Sequence, residues 1–256
     1  MIAAKGVHHS YGTTHALVDV DLAVGAGEIV GIIGPNGSGK STLLKVLAGI
    51  LSGRPGEVRL GEEEVHAIPP RERARRIAYC PQASDGAFEF TVGEVVLLGR
   101  TPYLGGMGFE REEDVRAARA ALESVDALHL AARPMPAISG GERQRVMIAR
   151  ALAQATEIII LDEPTAHLDL RHQGAIYGLL RRRCAEGAAV ILVSHDLNLP
   201  ARFCTRIVAL KEGRLVAEGP PREVIREDSI RRIFGARVKV IEDGGPVVVP
   251  LPGEGP

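Results

Sequence analysis

The sequence predicts an α/β fold built on a parallel sheet covered on both faces, and three observations point to it. Two continuous apolar runs, Glu157-Ile158-Ile159-Ile160-Leu161 and Ala188-Ala189-Val190-Ile191-Leu192-Val193, lack the alternation of a half-exposed strand, as strands buried on both sides do. A helix over about 170–185 lies between them, which gives the strand–helix alternation of that class. A third apolar run, 28–33, leads into Gly34-Pro35-Asn36-Gly37-Ser38-Gly39-Lys40-Ser41, and residues 42–48 after it have helical character. Gly, four residues, Gly-Lys-Ser is the pattern of a loop whose backbone N–H groups wrap a polyphosphate at a helix N-terminus.

The remaining elements follow in chain order. Up to about Leu60 the chain reads as strand-like pieces broken at Gly25-Ala26-Gly27 and Ser52-Gly53-Arg54-Pro55-Gly56. Pro69-Pro70 opens a short charged helix, because proline suits the first helical turn. Ile77-Ala78-Tyr79-Cys80 is a strand ending at Pro81-Gln82. From Thr91 to about Gln154 the signal is helical. Val115, Ala118, Leu122 and Val125 recur at helix spacing, and Gly105-Gly106-Met107-Gly108 and Pro134-Met135-Pro136 divide the stretch into several helices. Residues 206–210 and 214–217 read as a hairpin around Lys211-Glu212-Gly213. A C-terminal patch, 238–241 and 247–249, turns at Asp243-Gly244-Gly245, and Pro250, Pro252 and Pro256 mark a frayed end.

Composition narrows the function. The 256 residues are 45% hydrophobic and 25% charged with net charge −1, so no overall field draws the chain to nucleic acid or anionic lipid. The basic runs at 71–76 and 181–183 lie in expected helices and read as solvated faces. Cys80, Cys184 and Cys204 are scattered and not metal-spaced, which fits a reducing compartment and small buried hydrophobes. The opening residues Met1-Ile2-Ala3-Ala4-Lys5-Gly6 lack the apolar region of a secretory signal. No apolar run approaches the ~20 residues that cross a bilayer.

A phosphate loop alone leaves kinases, GTPases, helicases and transport ATPases open. Further pieces come in a fixed order: Ser10-Tyr11-Gly12, Pro81-Gln82, Ile138-Ser139-Gly140-Gly141-Glu142, the strand 158–161 ending in Asp162-Glu163, Ala166-His167-Leu168-Asp169, and Val193-Ser194-His195-Asp196. With them the chain resembles the ATP-binding-cassette (ABC) ATPases over nearly its whole length. The Ser-Gly-Gly segment is the most diagnostic, because other phosphate-loop families lack it. It departs from the usual Leu-Ser-Gly-Gly-Gln at Ile138 and Glu142.

The resemblance implies a P-loop NTPase core of the RecA-like kind, an N-terminal antiparallel β subdomain and a helical insertion. It sets residues 1–235 as the ATPase domain, with the insertion at about 88–156, and 236–256 as a short extension reading as a β-hairpin. It also assigns roles. Tyr11 would stack on adenine. Gly34, Pro35, Asn36, Gly37, Ser38, Gly39, Lys40, Ser41 and Thr42 would cradle ATP, with Lys40 on the β- and γ-phosphates. Ser41, Gln82 and Asp162 would hold Mg²⁺. Glu163 would orient or deprotonate the attacking water, and His195 would contact the γ-phosphate. Ser139, Gly140, Gly141, Glu142 and Asp169 would complete the site of a second copy in a head-to-tail dimer.

The implied function is the ATPase subunit of a membrane transporter at the cytoplasmic face, working with two separate integral permease subunits and, indirectly, a substrate-binding protein, with no nucleic acid. The other readings are a cassette protein not tied to transport and a phosphate-loop kinase. Residues 90–104, Phe-Thr-Val-Gly-Glu-Val-Val-Leu-Leu-Gly-Arg-Thr-Pro-Tyr-Leu, are similar to importers of iron–siderophore complexes, haem and cobalamin. So are His167-Leu168-Asp169 with His172-Gln173 and the tail from Phe234-Gly235 to Val249. The resemblance implies uptake of a metal chelate, ferric siderophore first, then cobalamin or haem, with other substrate classes as the alternative. Arg100, Pro102 and Tyr103 follow the Gly99 break and are expected to face the membrane partner rather than the core.

Overall fold

The computed structural model describes residues 1–52, 57–82, 89–105 and 109–252. Most of the turn expected at 52–56, most of the glycine break at 105–108, and Pro256 lie outside those residues.

The chain opens with β1 (Ile2–Tyr11) and β2 (Thr14–Val24), then β3 (Ile29–Ile33) and α1 (Lys40–Leu47). Next come β4 (Val58–Leu60), β5 (Glu63–Glu64), α2 (Pro70–Arg76) and β6 (Ile77–Cys80). Proline at the first position of α2 gives up an N–H that no helical carbonyl would take. A helical stretch follows: α3 (Val92–Leu97), a 3₁₀ segment Leu98–Tyr103, α4 (Glu112–Ser124) and α5 (Gly140–Ala153). Then come β7 (Ile158–Asp162), α6 (Leu170–Ala185), β8 (Ala189–Val193), α7 (Asn198–Phe203), β9 (Arg206–Lys211) and β10 (Arg214–Gly219). The chain closes with α8 (Pro221–Val224), α9 (Glu227–Phe234), β11 (Val238–Glu242) and β12 (Pro246–Pro250).

The central sheet has the order β10-β9-β3-β8-β7-β6, parallel except for β10. Strands β3, β7 and β8 are buried at every residue. Successive side chains point to opposite faces, and the two cores divide on that rule. Ile29, Ile33, Ile159, Leu161, Val190 and Leu192 pack on one face with the helical stretch and α6. Val30, Ile32, Ile158, Ile160, Ile191 and Val193 pack on the other with α1 and the antiparallel sheet β2-β1-β4-β5. Strands β6 and β7 are neighbours in the sheet although the helical stretch lies between them in sequence. The three cysteines are buried, and burial pushes the Cys80 thiol up to about 12.

Three expectations change. Arg71 and Arg75 are not a merely solvated face: Arg71 Nε donates to the Pro102 carbonyl at 2.9 Å, Arg75 Nε to the same oxygen at 2.8 Å, and Arg71 also reaches the Leu104 carbonyl. A helix N-terminal to the sheet edge is thereby pinned to the 3₁₀ segment. Val115 keeps the helical spacing of α4 but is exposed; the buried face there is Asp114, Ala118, Ala121 and Leu122. Arg100 and Tyr103 do not stand out toward a partner. Arg100 is 9% exposed, its Nε donates to Asp114 Oδ1 at 2.9 Å and its Nη1 to the Ala153 carbonyl at 2.9 Å. Its guanidinium lies 3.9 Å from the Tyr103 ring centre, and the Tyr103 hydroxyl donates to the Gln154 carbonyl at 2.8 Å. These residues lock the 3₁₀ segment onto α4 and α5.

Candidate functional site

The loop 34–39 joins β3 to α1, so it starts at the C-terminal edge of a buried parallel strand and ends at a helix N-terminus. Orphan N–H groups and the helix dipole both favour an anion there. Gly39 takes φ +99°, and a Cβ there would overlap the Ala16 carbonyl, so only glycine allows this approach of the loop to β2. Lys40 is buried, and its Nζ folds back to donate to the carbonyls of Gly34 at 2.9 Å and Pro35 at 2.8 Å. Burial lowers its pKa, against the raising pull of the Glu163 and Asp162 carboxylates. A phosphate would offer this cation a stronger partner than two neutral carbonyls.

A cleft of about 480 Å³ opens on this loop, lined by Tyr11, residues 36–42, Gln82, Glu163 and His195 among others. Tyr11 is half exposed, 4.8 Å centre to centre and edge-on to His9, which leaves a ring at the rim of the cleft. Asp162 ends β7 and is buried, and its Oδ1 has no hydrogen-bond partner. That orphaned buried carboxylate oxygen, with the Ser41 hydroxyl and the Gln82 amide that line the cleft, is a hard-oxygen set suited to Mg²⁺. The buried Ser38 hydroxyl also lacks a partner, as a group waiting for a phosphate oxygen would.

Glu163 is the centre of the cleft's acidic side. It sits at φ +53°, a left-handed conformation that a non-glycine residue adopts at a cost, and its N–H donates to the Val193 carbonyl at 3.1 Å. That turn swings the carboxylate off the end of β7. Gln82 Nε2 donates to Glu163 Oε2 at 3.0 Å, and His195 Nε2 meets Glu163 Oε1. Gln82 follows β6 and His195 follows β8, the two strands flanking β7, so the sheet order itself brings the three together.

The remaining residues singled out in the sequence stand elsewhere. Ser139 caps α5, with its hydroxyl donating to Glu142 Oε2 at 2.8 Å and accepting from the Glu142 N–H at 3.3 Å. Glu142 also accepts the Ser139 N–H at 2.8 Å, and these two bonds hold its carboxyl below the usual range. Asp169 caps α6 through the His172 N–H at 2.9 Å and meets His172 Nδ1 at 2.8 Å. None of Ser139, Gly140, Gly141, Glu142 or Asp169 lines the cleft that holds Lys40.

Sequence reasoning missed His15 and Gln144. His15 lines the cleft and bonds Ser10 Oγ at 2.9 Å; its place just past the Tyr11-Gly12 turn was the available signal. Gln144, buried on α5, donates to the Glu163 carbonyl at 3.4 Å. It links the Ser139 helix to the acidic strand end.

A phosphate loop at the edge of a buried parallel strand, facing an acidic strand end held by a glutamine and a histidine, is the site of a P-loop ATPase. Residues 17–166 match the family described as ABC transporter, and the chain belongs to that family. It is 44% identical over 257 residues to the hemin import ATP-binding protein HmuV of Pseudomonas entomophila, covering 97% of this chain and 99% of the other. It is 42% identical to the cobalamin import ATP-binding protein BtuD of Halobacterium salinarum strain R1, covering 93% of this chain and 61% of that one. Among solved structures, a metal-chelate type ABC transporter in an inward-facing conformation superposes with TM-score 0.82 at 25% identity, covering 98% of this chain and 97% of that one. A dimeric bacterial ABC transporter cassette does so with TM-score 0.79 at 33% identity, covering 87% and 99%. The chain is therefore an ATPase that binds ATP, with the α/β cassette fold the sequence predicted.

Proposed function

We propose that the chain is the ATP-hydrolysing subunit of an importer of metal chelates, resident on the cytoplasmic face of the membrane. The observation that carries the catalytic part is the Gln82–Glu163–His195 contact set at the mouth of the phosphate loop. Lys40 leaves the Gly34 and Pro35 carbonyls for the β- and γ-phosphates, and the loop N–H groups take the remaining oxygens. Tyr11 stacks on the base. Ser41, Gln82 and Asp162 would hold Mg²⁺, which when bound neutralises charge on the β- and γ-phosphate oxygens. Glu163 accepts the proton of the attacking water, and His195 orients that carboxylate and meets the γ-phosphate. Residues 1–235 form the ATPase domain, with the helices of about 88–156 as its insertion and 236–256 as an extension.

The site is completed by a second copy. Ser139 and the glycines that open α5 stand outside the chain's own Lys40 cleft and offer a second anion site at a helix N-terminus, and the dimeric cassette among similar structures supports the arrangement. A test uses mixed dimers. Lys40→Ala and Ser139→Ala homodimers should each lose activity. A dimer with one mutation per subunit gathers both defects in one composite site and leaves the other whole, so roughly a quarter to a half of wild-type turnover should return on mixing. Mixed dimers as inactive as the parents, beside wild-type mixes with each mutant that stay active, would remove the head-to-tail arrangement.

Substrate class rests on the relatives. Those named for hemin and cobalamin import put haem and cobalamin ahead of the ferric siderophore that the sequence placed first. Two permease subunits supply the transmembrane path: among the described residues no helix is long and apolar enough to cross a membrane. A groove lined by Phe90, Glu94, Leu97, Leu98, Thr101 and Leu104 offers them an apolar seat, with Leu98 49% exposed. Leu98→Asp should abolish haem- or cobalamin-dependent growth while ATPase activity of the isolated chain stays within about twofold of wild type. A gene deletion that impairs growth only on a sugar, peptide or amino acid would overturn the substrate class and leave the ATPase in place.

A further inference from the structure

Asn198 opens α7, three residues after His195. Its Oδ1 accepts the Val248 N–H at 2.7 Å, and its Nδ2 donates to the Val248 carbonyl at 3.3 Å. In an antiparallel ladder every second pair turns both main-chain groups outward. Val248 pairs with Val240, whose own N–H goes to Glu227 Oε1 at 3.0 Å, so this pair faces outward on both strands. A carboxamide carries one acceptor and one donor side by side and complements an outward-facing peptide group pair. The Asn198 side chain thus adds a rung to β12.

The other end of this link is the turn that carries His195. The Ser194 hydroxyl donates to the Asp196 carbonyl at 3.0 Å, and Asp196 Oδ1 accepts the N–H of Asn198 at 2.6 Å and of Leu199 at 3.3 Å. Residues 194–199 are therefore tied into one unit. His195 is exposed, and α7 has six residues, too few for a self-sufficient helix. The hairpin is a firm anchor: Val238 and Val248 are buried in the same core as Ala201 of α7.

The geometry points to Asn198 as a positioning residue that, through the Val248 main chain of the C-terminal hairpin, fixes the turn presenting His195 to Glu163. The inference rests on the role given to His195 above. A hairpin that only covers the apolar side of α7 would need no such pairing.

The test is steady-state ATPase kinetics on the full chain. Asn198→Ala should lower kcat about tenfold with KM for ATP changed by less than about twofold. Asn198→Asp, nearly isosteric, keeps the acceptor for the Val248 N–H and loses the donor, and should fall between. In a His195→Ala background, Asn198→Ala or Asn198→Asp should change the residual kcat by less than about twofold, because residues acting as one unit are not additive. An equal fall in both backgrounds, or a lowered melting midpoint with unchanged kcat, overturns Asn198 as a positioning residue and leaves His195 in its role. Wild-type turnover in His195→Ala alone overturns both.

Discussion

Glu163→Gln is expected to bind ATP as wild type does and to lose about two to four orders of magnitude in kcat, the range for removing a general base. The substitution keeps the shape of the site. A glutamine carbonyl oxygen still accepts from Gln82 Nε2, as Glu163 Oε2 does at 3.0 Å. Its amide group can face His195 Nε2, where Glu163 Oε1 now sits, with the imidazole as acceptor. The strained turn at φ +53° and the Val193 bond belong to the backbone and survive. What disappears is the proton acceptor alone. With binding intact and hydrolysis stopped, the ATP-bound dimer should persist long enough to elute as a dimer on a sizing column. Equilibrium ATP binding and single-turnover hydrolysis read the two effects separately. Turnover near wild type would remove Glu163 as the base, and lost ATP binding would show that the carboxylate serves the nucleotide rather than the water.

Much of this site was legible in the sequence because its parts are local patterns. The strands β3, β7 and β8 read as continuous apolar runs since both of their faces are covered. The phosphate loop and the Ser139 capping box are fixed by neighbours within a few residues. The unread parts depend on partners far along the chain. Gln144 resembles any polar residue in a helix until α5 packs against the strand end 19 residues on. The short helices α7 and α8 have six and four residues and carry too little periodicity to stand out. α9 had readable ends: Glu227 and Asp228 in its first turn, Arg231 and Arg232 in its last, and Gly235 in the left-handed cap. Arg100 was misplaced for a related reason. A charged residue after a glycine is expected outside, yet Gly99 is there to allow contact: a Cβ on it would overlap the Arg150 carbonyl of α5. That contact carries Arg100 inward to Asp114, which lies 14 residues later.

Arg100→Ala should therefore act on folding, not on coupling to a membrane partner. Asp114 is 1% exposed, and its two carboxylate oxygens take the Arg100 Nε–H at 2.9 Å and the Arg111 N–H at 3.1 Å. Burial alone would raise its carboxyl, but the Arg111 N–H and the hydrogen bond and charge of Arg100 outweigh burial and hold it below the usual carboxylate range. Removing one partner of such a pair leaves a buried charge, typically at about 3–5 kcal/mol, a large share of the roughly 5–15 kcal/mol that holds a domain folded. The Ala153 carbonyl and the face of the Tyr103 ring lose their partner as well. Arg100→Lys should recover only part of the loss, since an ammonium cannot bond Asp114 and Ala153 in the fixed fork of a guanidinium. The pH dependence follows from the direction of the shift. A carboxyl held low in the folded state stabilises above its unfolded value and loses that contribution as pH falls through the folded value. The gap between wild type and Arg100→Ala should thus be widest near neutral pH and narrow in acid, where Asp114 of the variant can take a proton. Urea melts of both chains across that pH range measure it. An unchanged midpoint at neutral pH, with transport lost and ATPase intact, would return Arg100 to the membrane-facing role.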